Sequence, residues 1–128
     1  MAITVNSKKK QVKKSFQELI NDLMSSSSEK VRYNAARVLG EMGDSKAVEP
    51  LIDVLKNDKN GSVRLYAARA LGELGDTKAT EHLIESLRED RNVDVRVRAA
   101  RALGRLGGKI VVEPLVEALN DENSQVCI

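Results

Sequence analysis

The 128-residue chain has no tryptophan, one phenylalanine and two tyrosines, so whatever core it builds must come from aliphatic side chains. Sheets draw on aromatic residues to cover a pleated, half-buried surface, and their scarcity argues against a sandwich or a barrel. One cysteine, Cys127, excludes an internal disulfide, and one histidine, His82, leaves little for a transition-metal site. No apolar run approaches the ~20 residues that cross a bilayer. The start of the chain also lacks the apolar stretch, about 7–15 residues, of a secretory signal. A soluble, cytoplasmic protein without membrane association, metal or cofactor is the expectation. A dominant charge is missing too, since 21 Lys and Arg face 19 Asp and Glu and leave a net +2.

What is present is a repeat. Residues 31–62, 63–94 and 95–125 align on one another at an offset of 32, twice, without a gap. A fixed period in this range marks a solenoid, in which each unit buries its apolar face only against its neighbours. Within a unit the apolar positions follow helical spacing twice, first at Val31, Ala35, Val38, Leu39 and Met42, then at Ala47, Val48, Leu51, Ile52 and Leu55. Each unit is therefore read as two helices. Between them, Gly43-Asp44 and Gly75-Asp76 supply a glycine for a left-handed C-terminal position and an Asp to cap the next helix. The short turn makes the two helices antiparallel.

The pairs Ala35-Ala36, Ala67-Ala68 and Ala99-Ala100 place small side chains at a fixed point of every first helix, where they permit close approach of neighbours. Pro50 and Pro114 fall in the second helices, whereas His82 fills the same place in the middle unit, so proline is tolerated there and not required. Gly107-Gly108-Lys109 replaces Gly-Asp-Ser/Thr in the last unit, which loses the Asp cap and marks the weakest joint.

These boundaries divide the single domain into a basic segment (1–14), a capping helix and loop (15–27), three repeats (28–59, 60–91 and 92–123) and the start of a further repeat (124–128). The capping helix carries one apolar stripe of Val12, Phe16, Leu19, Ile20, Leu23 and Met24. About seven helices result. The last repeat would expose part of a face of Leu115, Val116 and Leu119, to be covered by residues 126–128 folding back or by end-to-end pairing of two chains.

The string VRxxAARxLGxxGDxxA followed by EPLIxxL at 31–55 resembles the phycobilisome-lyase type of HEAT-like repeat. The resemblance spans residues 15–125 and implies a right-handed α-solenoid with the VRxxAA helices on its concave side. It implies no single activity, because the family includes subunits of bilin lyases, which attach chromophores to light-harvesting proteins, as well as interaction modules.

Positions that recur between units are read as structural, and positions that differ as candidates for contact. Arg32, Arg64 and Arg96 recur and are assigned to turn carbonyls or a neighbouring Asp. The two residues that follow them change each time, to Tyr33-Asn34, Leu65-Tyr66 and Val97-Arg98, and hold both tyrosines. Rigidly held Tyr and Arg are common interface anchors. The competing reading has Tyr33, Leu65 and Val97 tucked against the next helix. Arg37, Arg69 and Arg101 form a second row. The first two have Glu41 and Glu73 one turn on, whereas Arg101 has Arg105.

The repeats are neutral, yet split by helix they are polarised. Segments 29–43, 60–75 and 92–107 carry +1, +1 and +3, against −1, −2 and −3 for 44–59, 76–91 and 108–123. Such a dipole favours an acidic partner on the VRxxAA side. The cluster Lys8, Lys9, Lys10, Lys13 and Lys14 would suit nucleic acid, anionic lipid or a nuclear signal, but a solvated tail and exposed helix start is the commoner reading, and the repeats have little basic stripe and few stacking aromatics. No phosphate loop, nucleophile elbow or metal-ligand spacing occurs, and the Gly-x-x-Gly of each unit reads as turn chemistry. His82, between Glu81 and Glu85, reads as a surface residue and not a general base. The expected protein is a non-enzymatic module. It would bind an acidic protein through Tyr33, Asn34, Arg37, Leu65, Tyr66, Arg69, Val97, Arg98, Arg101 and Arg105. A bilin-lyase-like subunit and a nucleic-acid binder are the alternatives.

Overall fold

A computed structural model of the chain describes residues 14–107. They form six α-helices, α1 (Phe16–Ser25), α2 (Glu29–Met42), α3 (Val48–Asn57), α4 (Gly61–Leu74), α5 (Thr80–Glu89) and α6 (Val93–Leu106), with 3-10 turns at Ser45–Ala47 and Thr77–Ala79. The architecture is the all-α helix-pair solenoid expected from the period, with α1 as its N-terminal helix. The seventh expected helix, with Pro114, lies outside the described residues. So do Lys8, Lys9, Lys10 and Lys13, the face of Leu115, Val116 and Leu119, and the segment 124–128 with Cys127.

Helix ends follow from local chemistry. Ser15 and Glu18 form a reciprocal capping box at α1, the Glu18 N–H donating to Ser15 Oγ (3.1 Å) and the Ser15 N–H to Glu18 Oε1 (2.8 Å). Asn60 and Asn92 cap α4 and α6 by accepting from Val63 N (3.0 Å) and from Asp94 N (2.8 Å). Gly43 and Gly75 end α2 and α4 with φ of 75° and 69°, the left-handed region that costs glycine nothing. Asp44 and Asp76 cap the 3-10 turns rather than the α-helices that follow, which start from those turns with no side-chain cap. Pro50 is the third residue of α3, where the first turn leaves N–H groups unpaired in any case. Gly107 keeps a positive φ of 74° but has ψ of −176°, unlike the two earlier turns, and no Asp follows it.

Helices α2, α4 and α6 lie side by side as one layer, and α1, α3 and α5 form the other. Sequential helices meet closely as α1–α2, α3–α4 and α5–α6, whereas pairs joined through Gly43 and Gly75 touch little. The compact hairpin therefore begins with the EPLI-type helix. A self-alignment fixes the period of a repeat and is silent on where the unit starts.

The core is aliphatic, with Leu39, Leu51, Leu71, Leu83 and Leu103 fully buried together with the alanine pairs. Close backbone approach within the α2–α4–α6 layer lies elsewhere. A Cβ added at Gly40 would stand 2.8 Å from Ala70 Cα, and one at Gly72 would stand 2.9 Å from Ala102 Cα. In Gly40-x-x-Gly43 and Gly72-x-x-Gly75 only the second glycine is turn chemistry. The first is where two helices touch, which corrects the reading of the whole motif as a turn.

The recurring arginines stitch the layers together. Arg32 forks onto Asp58, with Nε–Oδ2 at 2.9 Å and Nη2–Oδ1 at 3.1 Å, while its Nη1 donates to the Ser26 carbonyl (2.9 Å). Arg64 repeats this onto Asp90 at 2.9 and 3.1 Å and onto the Asp58 carbonyl at 2.8 Å. The Asp58 hydrogen bond raises the pKa of Arg32 against the opposing effect of burial.

Two stability tests follow from this packing. Gly72→Ala gains about 1 kcal/mol of helix propensity, but its Cβ would meet immobile backbone, and overpacking costs roughly 1–3 kcal/mol. A net loss in urea denaturation is expected, and a stabilised variant would contradict the close contact. Arg64→Met leaves Asp90 buried and unpaired, for which about 3–5 kcal/mol is lost. Arg37→Met, at an exposed pair, should cost less than about 1 kcal/mol.

Candidate binding face

The inward positions of the VRxxAA helices are taken up by the core and the arginine ladder, which leaves the remaining stripe of each helix for contact. Tyr33, Leu65 and Tyr66 are half-buried and pack on the core while keeping part of their surface open. Tyr33 of α2 and Tyr66 of α4 stack with ring centroids 5.2 Å apart and planes at 16°. The two come from different variable positions of adjacent units. Recurrence at one position would not have paired them.

Arg98 of α6 lies within electrostatic reach of Tyr66 and Arg69 of α4 and of Arg101 and Arg105 on its own helix. Val97 is half-buried, and Arg101 and Arg105 are exposed. Asn34 and Arg37 fall elsewhere, on the flank of α2 that faces Lys14 and Leu19, where they border a groove of about 430 Å³. The ten candidate residues thus divide, and a tyrosine–arginine group spanning α2, α4 and α6 holds most of them.

Electrostatics single out α6 within that group. Arg37–Glu41 (3.2 Å) and Arg69–Glu73 (3.3 Å) are ion pairs one turn apart. The +1 of segments 29–43 and 60–75 is then accounted for by Arg32 and Arg64, whose charges are buried against Asp58 and Asp90. Segment sums counted these as surface charge, and the basic side they suggested contracts to the third unit. There, burial first, then the like charges of Arg101 and Arg69, and lastly Arg105, hold Arg98 below the usual guanidinium value, with Tyr66 opposing. Arg105 reaches this group because its Cδ lies 3.5 Å from the position a Gly72 Cβ would take, so the stem crosses α4 where that helix has no side chain. Sequence reasoning missed this role of Gly72, although its recurrence inside a helix, where alanine is favoured, was a usable signal.

His82 is half-buried at the third position of α5, beside Glu81, Thr77 and Leu106. Among the described residues no group of His, Cys, Asp and Glu could hold a metal ion, and no helix is long and apolar enough to cross a membrane. A depression of about 550 Å³ lies between the ends of α3 and α5, where Arg64 and Asp90 already satisfy each other.

Comparison with known proteins agrees with this geometry. The family model for HEAT repeats matches residues 16–93 and 80–127. A solved structure, the complex of CpcE and CpcF of phycocyanin lyase from Nostoc sp. PCC7120, contains a similar chain at 34% identity and a TM-score of 0.77. The match covers 84% of this chain and 43% of that one, so the present chain spans less than half the length of its relative. No curated protein matches the chain.

The stack can be tested alone. In a double-mutant cycle of Tyr33→Leu and Tyr66→Leu, a coupling of about 0.5–1.5 kcal/mol is expected in chemical denaturation. Additive losses would mean that the rings do not interact.

Proposed function

Because the chain belongs to the HEAT-repeat family, we propose that it is a docking subunit of a lyase-type assembly, binding another protein through its VRxxAA helices. The observation that carries this reading is the similarity, over 84% of the chain, to a protein solved as one member of a two-protein phycocyanin lyase complex. The contact set is the tyrosine stack of Tyr33 and Tyr66, the adjoining Leu65 and Val97, and Arg98 with Arg101.

Physical reasons favour that set. Tyrosine presents a large area with little rotamer freedom to lose, and here the two rings brace each other before any partner arrives. The arginines beside them supply direction and steering more than area. The chain's own role is binding, with no catalytic group assigned to it. Where the complete assembly attaches a chromophore, the reaction belongs to the partner or to the remainder of a longer protein.

Two measurements test the proposal. The double variant Tyr66→Ala, Arg98→Ala should lose at least tenfold in affinity for a phycocyanin-lyase-type partner subunit, with the helical circular dichroism unchanged. Undiminished binding would remove the contact set. In a bilin-transfer assay with phycocyanin apoprotein, the chain alone should give no product and should act only with the partner subunit. Transfer by the chain alone would make it an enzyme in its own right.

A further inference from the structure

Helix α6 breaks a rule that α2 and α4 keep. Arg37 and Arg69 each find a glutamate one turn on, but the equivalent of Glu41 and Glu73 in α6 is Arg105. Arg98, Arg101 and Arg105 accordingly form no ion pair and no side-chain hydrogen bond among the described residues. Arg69 joins them from α4, and the one carboxylate it meets, Glu73, lies across Gly40 of α2. Asp94, one turn before Arg98, is exposed and not paired with it.

Guanidinium groups that repel one another and are partly stripped of water raise the free energy of the unliganded protein. Binding charge of the opposite sign relieves this. The planar fork of arginine matches a carboxylate two bonds at a time. The surroundings identify the ligand class. Half-buried Tyr66 lies within reach of Arg98, and half-buried Val97 precedes Arg98 in the chain, which suits a peptide carrying an apolar side chain. An extended polyanion such as nucleic acid would run onto α2 and α4, where Arg37 and Arg69 are already compensated by Glu41 and Glu73.

We propose that Arg98, Arg101 and Arg105, beside the ion-paired Arg69, form a carboxylate-binding site for a short acidic segment of the partner protein, with an apolar side chain of that segment lying on Tyr66. The inference rests on the docking reading given above and adds which chemistry of the partner is recognised, and where.

The test uses the full chain and a fluorescent peptide of sequence Glu-Glu-Leu-Glu-Glu, with Gln-Gln-Leu-Gln-Gln and inorganic phosphate as further arms. The acidic peptide should bind and weaken with salt. Arg98→Gln and the more exposed Arg101→Gln should each lower its affinity about tenfold, the scale of a lost charge-assisted contact. Equal binding of the glutamine peptide, or equal competition by phosphate at the same concentration, would each overturn the site. If the peptide fails to bind while the partner subunit is still captured, the carboxylate site falls and the docking reading stands. If the peptide binds and no lyase-type partner is captured, the docking reading falls alone.

Discussion

The arginine after the valine of the first two VRxxAA helices, Arg32 and Arg64, reaches two loops at once, and the order of the solenoid depends on it. Asp58 gives its carboxylate to Arg32 in the helix before it and its carbonyl to Arg64 in the helix after it. It also accepts the Asn60 N–H at 2.9 Å, which shapes the entry into α4. Asp90 repeats the arrangement between Arg64 and Arg96. Burying two charges costs several kcal/mol per ion, and a well-packed apolar pair can match such a bridge in stability. The return is geometric. Lysine could neutralise Asp58 but could not bond its two oxygens in one plane while holding the Ser26 carbonyl, so the planar fork sets the rotation of each helix against its loops.

That rotation decides what faces what. With Arg32 and Arg64 pinned inward, the alanine pairs are committed to the core, and Gly40 and Gly72 come to lie against Ala70 and Ala102. Missing side chains at these points allow α2, α4 and α6 to close up, and a longer side chain of the next helix can cross above each gap. Glu73 crosses at Gly40 and Arg105 at Gly72. The same spacing brings Tyr66 over Tyr33. The contact surface is thus a by-product of the ladder, and its composition can vary from unit to unit without disturbing the fold.

Much of this was legible in the sequence, and the failures share a cause. The period, the left-handed glycines Gly43 and Gly75, the position of Pro50 and the Arg37–Glu41 and Arg69–Glu73 pairs all depend on residues close in the chain. Features that depend on which recurring residues touch across helices were not readable. A self-comparison shows that Gly40 recurs as Gly72, as it shows that Gly43 recurs as Gly75, and gives no means of separating a packing glycine from a turning one. It could not say that the hairpin begins at Val48 rather than Glu29, nor that Tyr33 meets a residue from the other variable position. Segment charges misled for the same reason, because a sum gives Arg64, fully paired with Asp90, the same weight as Arg101.

The third unit shows how such a scaffold can acquire recognition by small departures from its own pattern. Arg96 keeps its bond to the Asp90 carbonyl at 2.6 Å, but its buried Nε has no partner, and the residue 26 positions on, where Asp58 and Asp90 stand relative to Arg32 and Arg64, is Glu122, outside the described residues. One helix face away, the glutamate that would quench Arg101 is Arg105. In α2 and α4 every arginine has a carboxylate, so the surface presents shape with little net field. In α6, Arg98, Arg101 and Arg105 have no carboxylate partner among the described residues. Because the ladder and the glycine contacts hold the backbone, this change leaves the packing intact and acts only at the surface, as an uncompensated field beside a braced aromatic pair. Specificity in a repeat protein can therefore arise where one unit fails to neutralise itself.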